Sequence, residues 1–63
     1  MTSPGRYHLL LAISERPVQH GWWRREDVAR DKFHAWVDQY GRTMPGARVT
    51  LTDEDTGDVL DDR

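Results

Sequence analysis

One stretch of 15 residues, 26–40, constrains the fold more than any other part of the chain, because its sequence EDVARDKFHAWVDQY has a clear helical period. At about 100° per residue its apolar side chains fall on one side of a helix, as in a helix that lies on a core. Glu26 and Arg30 stand four apart in the favourable acid-first order, and Gly41 is expected to end the helix in a left-handed conformation. The apolar side consists of Ala29, Phe33, Trp36, Val37 and Tyr40.

Four shorter segments predict β-strands on either side of this helix. Residues 7–13 are almost entirely apolar, and residues 18–23 are interpreted as the returning strand of a hairpin. Residues 47–52 alternate, with Val49 and Leu51 expected to point inward, and residues 59–61 complete a second hairpin after an acidic turn. Gly57 is expected to be left-handed in that turn. The order predicts an α+β domain, ββαββ, in which one helix packs on one face of an antiparallel sheet.

The first hairpin is predicted with residues 15 and 16 as its loop. In that register Leu9 lies opposite Trp22 on the side that faces the helix, and His8 lies opposite Trp23 on the other side. A slip of one residue would exchange the two sides of the returning strand. Pro17 fits only a strand end or a sheet edge.

Length and composition limit the classes of protein that this chain can belong to. The 63 residues predict one domain, 1–63, in which residues 1–5 form a frayed terminus. The chain has no cysteine, so packing rather than disulfides must hold the fold, and a marginal monomer or a dimer is expected at this size. No apolar run approaches the roughly 18 residues of a membrane span, so no membrane partner and a cytoplasmic location are expected.

The net charge of −2 conceals an uneven distribution. Residues 1–52 hold eight basic and five acidic side chains, whereas residues 53–63 hold six acidic and one basic side chain. Nucleic-acid binding normally requires a concentrated basic surface. The acidic C-terminal segment therefore disfavours a nucleic-acid partner without excluding one.

No pattern in the sequence indicates a catalytic site, a cofactor or a metal centre. The three histidines invite a metal hypothesis, but the predicted register puts His8 and His20 on opposite sides of the hairpin. The acidic turn departs from the spacing of a calcium loop. His34 and Asp38 could form a hydrogen-bonded pair on the helix, yet a catalytic site also needs a nucleophile or substrate pocket. The protein is therefore expected not to be an enzyme.

The most unusual local sequence is WWRR at residues 22–25. Neighbouring residues on a strand point to opposite faces, so the two tryptophans cannot share one core. An exposed aromatic patch rimmed by arginine is typical of a protein interface and also of a single-strand nucleic-acid platform. Alternatively, Trp23 shields Gly21 and the sheet edge. The candidate interaction residues are His8, Leu10, Trp23, Arg24, Arg25 and Arg48.

Two functional hypotheses follow from these patterns. The favoured one is a small non-enzymatic protein-interaction or regulatory accessory module, with a homodimer formed through the open sheet face or an edge strand as one form of it. The alternative is single-stranded nucleic-acid binding through the sheet face that bears tryptophan and arginine.

Overall fold

A computed structural model describes residues 5–63 and has four antiparallel strands in one sheet with a single helix packed on it. The order ββαββ confirms the predicted fold class. The strands lie in the order β2-β1-β3-β4, so β1 and β3 are central. The elements are β1 (Tyr7–Ile13), β2 (Arg16–Trp23), α1 (Glu26–Gly41), β3 (Ala47–Asp53) and β4 (Asp58–Asp62).

The core lies between the helix and the two central strands. Ala29 and Phe33 on α1 are buried, as the helical period predicts, and the rest of the predicted apolar side packs at the margin of the core. Val49 and Leu51 are buried too, which confirms the inward positions of β3. The remaining buried apolar side chains belong to β1 and are Tyr7, Leu9 and Leu11.

The predicted register of the first hairpin is wrong. Ser14 and Glu15 form its loop, and both have positive φ, 52° and 69°. His8 lies opposite Trp22 and Leu9 opposite Gly21, a shift of one residue from the prediction. The pairing shifts again between Leu11 and Ala12, where β2 contains one extra residue. The exchange of sides in β2 follows directly, because side chains alternate along a strand.

Trp23 consequently faces the helix and not the open side of the sheet. Its ring packs at the margin of the core and meets Trp36 edge to face, with centroids 6.2 Å apart. The same ring lies directly over Gly21, where an added Cβ would come within 2.3 Å of it. The prediction of an exposed Trp23 is therefore wrong, and the alternative in which it covers Gly21 is confirmed.

The end of the helix also differs from the prediction. Gly41 belongs to α1, and the positive-φ glycines among residues 5–63 are Gly46 and Gly57. No left-handed stop is needed at Gly41, because the amide of Met44 and the hydroxyl of Thr43 donate to carbonyls of the last helical turn. Gly57, with φ of 79°, confirms the predicted left-handed position in the acidic turn.

An ion pair ties the beginning of β1 to the acidic turn. Arg6 Nε and Nη2 each donate to a carboxylate oxygen of Asp53 at 2.9 Å, and the side chain of Asp53 is only 8% exposed. Asp53 also accepts a hydrogen bond from the backbone amide of Asp55. The Arg6 guanidinium lowers the pKa of the Asp53 carboxyl, so the pair remains ionised over a wide pH range.

The predicted frayed terminus at residues 1–5 lies mostly outside the described residues. Gly5, the first described residue, is buried. A Cβ at Gly5 would approach the backbone of Trp23 to 2.6 Å, so only glycine fits at this contact.

Candidate functional site: the open sheet face

The sheet surface opposite the helix, which we call the open face, carries the candidate functional residues. Because Leu9, Leu11 and Leu51 are buried beneath the helix, the alternate positions of each strand point to the other side. The cross-strand partners place these positions in one surface. The open face consists of His8, Leu10, Ala12, His20, Trp22, Arg48, Thr50, Thr52, Val59 and Asp62.

Three rings form an aromatic cluster on the β1–β2 side of the open face. Trp22 is parallel to His8 within 10°, with centroids 4.7 Å apart, and parallel to His20 within 9° at 5.6 Å. The two imidazoles are parallel within 5°. Trp22 is 39% exposed, so the cluster presents a large ring to the surroundings. An ordered aromatic side chain of this kind can bind a partner at a low entropic cost.

A polar chain runs through the aromatic cluster from a carboxylate to the second imidazole. Glu54 Oε1 lies 3.2 Å from His8 Nδ1, and His8 Nε2 lies 2.8 Å from His20 Nδ1. Burial lowers the pKa of the His8 imidazole, and the Glu54 carboxylate offsets this only in part. A neutral His8 that donates from Nδ1 to Glu54 keeps a lone pair on Nε2, which then accepts from His20.

The other charged groups of the open face neutralise each other. Arg48 Nε donates to Asp62 at 2.7 Å, and its Nη2 makes a second, parallel bond to the same carboxylate. These bonds raise the pKa of Arg48 and lower that of Asp62. Arg48 is therefore committed to a partner within the chain, and the open face has no large excess of positive charge.

The two edges of the sheet are poorly suited to pairing with another strand. On β2, Pro17 lacks a backbone N–H donor, and the extra residue near it distorts the edge. On β4, the pairing with β3 shifts between Leu51 and Thr52, and the strand carries acidic side chains at Asp58, Asp61 and Asp62. Both edges thus have features that oppose strand addition, whereas the open face has no cover among residues 5–63.

The structure brings together only some of the candidate interaction residues. His8, Leu10 and Arg48 lie on the open face. Trp23 lies on the opposite side, and Arg24 and Arg25 precede the helix, where Arg25 pairs with Asp27 at 3.0 Å. Sequence reasoning missed His20 and Trp22, since the only signal for them was the register of the hairpin.

A concave region lies beside the C-terminal half of the helix, away from the open face. It has a volume of about 490 Å³ and is lined in part by His34, Asp38 and Arg63. Asp38 pairs with Arg42 at 3.1 Å rather than with His34, which instead meets Phe33 edge to face. The His34–Asp38 pair considered from the sequence is thus not formed, and this depression lacks an assembled dyad.

Within residues 5–63, no three side chains of the His, Cys, Asp or Glu type gather into a metal-binding group. No helix in this part of the chain is long and apolar enough to cross a membrane. Comparison of the chain with protein-family models, with curated proteins and with solved structures finds no match.

Proposed function

We propose that this protein is a small non-enzymatic interaction module that self-associates by docking its open face on that of a second copy. The observation that supports this most directly is the aromatic cluster, in which the exposed Trp22 stacks on His8 on a sheet face that the helix does not cover. Tryptophan is among the residues that most often dominate the binding energy at protein interfaces.

The charge distribution favours a protein surface as the partner. Arg48 is neutralised by Asp62, and Glu54 adds a negative charge next to His8. Such a face offers little to a phosphate backbone, whose binding depends on unpaired basic side chains. A face with so little net charge is also compatible with an identical surface, because two copies bring only weak like-charge repulsion.

The protected edges favour docking through the face. Strand addition would require a free and regular edge, and Pro17 and the β4 irregularity interrupt both. Two sheets can instead pack face to face at about 10 Å, which would bury both aromatic clusters. A four-stranded face is small, so we expect a reversible dimer with an affinity in the micromolar range or weaker, about −8 kcal/mol at most.

Sedimentation equilibrium of the full chain tests this proposal. With a chelator and half-molar salt present, we expect a monomer–dimer equilibrium that Trp22→Ala shifts at least tenfold toward monomer. Met44→Ala is the matched control, because Met44 is similarly exposed, at 40%, in the loop between α1 and β3. Apolar association should persist in that salt, whereas phosphate binding weakens steeply.

Two results would contradict the proposal. One is a protein that stays monomeric up to millimolar concentration. The other is tight, salt-sensitive binding of single-stranded oligonucleotides that needs Arg24, Arg25 or Arg48, which would favour the nucleic-acid alternative.

A further inference from the structure

We propose that His8 and His20 form a two-imidazole binding site for a divalent transition-metal cation of the Zn²⁺, Ni²⁺ or Cu²⁺ type, with Glu54 as a positioning residue. The inference goes beyond self-association, since both ligands belong to one chain and no second copy is needed for binding. The two imidazoles can share a cation only because the observed register puts them on the same face of the sheet.

The separation of the two nitrogens supports a shared cation. His8 Nε2 and His20 Nδ1 face each other at 2.8 Å. Two nitrogens that each lie about 2.0–2.1 Å from one zinc ion are themselves about 2.9–3.4 Å apart at angles between 90° and the tetrahedral value. A cation can therefore bind both nitrogens once the rings turn so that the two lone pairs converge on it, with the Nδ1 proton of His20 lost to water and its Nε2 protonated in turn.

Glu54 supplies the support that metal-binding histidines commonly have. A ligating imidazole usually donates its other N–H to a carboxylate, which fixes the tautomer and the ring orientation. Glu54 Oε1 at 3.2 Å from His8 Nδ1 is in that position and leaves His8 Nε2 as the metal-facing nitrogen. Trp22, parallel to both imidazoles, further restricts their rotation.

The class of cation follows from the ligand type. Neutral imidazole suits zinc, copper and nickel, whereas calcium and magnesium prefer oxygen ligands. Two protein ligands leave coordination positions for water or for a group brought by a partner. Binding should accordingly be weaker than at a four-ligand structural site.

Isothermal titration of the full, tag-free chain with Zn²⁺ tests the site. We expect saturable binding that His20→Gln weakens at least tenfold. His34→Gln is the matched control, since it removes the one histidine outside the cluster and should leave the Zn²⁺ affinity unchanged. Circular dichroism in the presence of a chelator checks that each variant is folded, and His8→Gln provides a second ligand variant.

Glu54→Gln tests the positioning role separately. We expect a Zn²⁺ affinity about 10-fold lower, in line with the effect of removing such supporting carboxylates, with an unchanged melting temperature in chelator. An unchanged affinity would overturn the role of Glu54. The absence of saturable Zn²⁺ binding below 1 mM, which corresponds to roughly 4 kcal/mol of binding free energy, would overturn the site itself. Equal losses of Zn²⁺ affinity in His20→Gln and His34→Gln would overturn it as well. Because self-association is measured in chelator, failure of either proposal can be distinguished from failure of the other.

Discussion

At the scale of single residues, two adjacent tryptophans have opposite roles. Trp23 covers Gly21 and meets Trp36 under the helix, whereas Trp22 stacks on His8 at the open face. Alternation along β2 requires that one tryptophan lie on each side, but it does not say which. The register in which β2 pairs with β1 decides which tryptophan faces the helix.

Replacement of each tryptophan by alanine should separate these roles. We expect Trp23→Ala to lower the free energy of unfolding by about 3 kcal/mol, because it leaves a cavity between β2 and α1. Trp22→Ala should lower the free energy of unfolding by about 1 kcal/mol, chiefly because the ring stacking is lost. Urea denaturation followed by circular dichroism measures both values. A larger loss in Trp22→Ala than in Trp23→Ala would mean that the two sides of β2 are assigned incorrectly.

Asp53 should make the stability depend on pH in the acid range. Its pKa is lowered by the hydrogen-bonded Arg6 guanidinium, so the ionised form stabilises the folded state. That contribution is present above the pKa of an unfolded aspartate and disappears as the pH falls through the lowered folded value. We expect Asp53→Asn to be less stable at neutral pH and to lose less stability on acidification.

Denaturation of the wild type and of Asp53→Asn at several pH values between about 7 and 2 checks this expectation. Asp31→Asn, which removes an exposed carboxylate from the helix, is the control and should retain the acid dependence of the wild type. Parallel pH profiles for the wild type and Asp53→Asn would show that the Arg6–Asp53 pair does not contribute as described.

At the scale of elements, the sequence predicts each helix and strand but not the pairing of the first hairpin. The period of α1 and the alternation of β3 are strong because one side of each is buried. The turn before β2 carries no such signal. Ser14 and Glu15 both have positive φ, although neither is among the Gly, Asn or Asp residues that favour such a turn.

The candidate site could be predicted only as far as that register allowed. Leu10 and His8 were expected on the open face because they alternate with buried leucines of β1. His20 and Trp22 could not be placed, since the extra residue of β2 opposite Leu11 and Ala12 depends on tertiary packing. The extra residue in β2, rather than the position of the turn, thus exchanged the aromatic side chains assigned to the two faces.

The same glycine-to-alanine change should have opposite effects in a turn and in the helix. Gly57 has φ of 79° with no atom near its missing Cβ, so Gly57→Ala should destabilise by about 1 kcal/mol through backbone strain alone. Gly41 lies in the helix, and a Cβ there would meet only Val37 Cγ1 at an ordinary 3.9 Å. Gly41→Ala should therefore raise the free energy of unfolding by about 0.5–1 kcal/mol.

Thermal denaturation of the two glycine variants provides the comparison, with each serving as the control for the other. Stabilisation by Gly57→Ala would be incompatible with a left-handed turn residue. Destabilisation by Gly41→Ala would instead indicate that the helix ends before this position.

At the scale of the whole molecule, the fold covers one side of its sheet and leaves the other uncovered. The helix buries Leu9 and Leu51 of the two central strands, while Leu10, which follows Leu9 in β1, remains on the open face. A second layer on that face would complete a sandwich of the kind that small sheets commonly form. The neutral ion pair of Arg48 with Asp62 would then lie at its margin.

The most direct test of the open face as the docking surface is an isotope-filtered NOE experiment on a mixture of labelled and unlabelled chains. At concentrations where sedimentation shows dimer, we predict intermolecular contacts from the Trp22 indole to Leu10 and Thr50 of the other copy, all of which lie on the open face. Intermolecular contacts confined to the helix, or to the backbone of β2 or β4, would contradict docking through the open face.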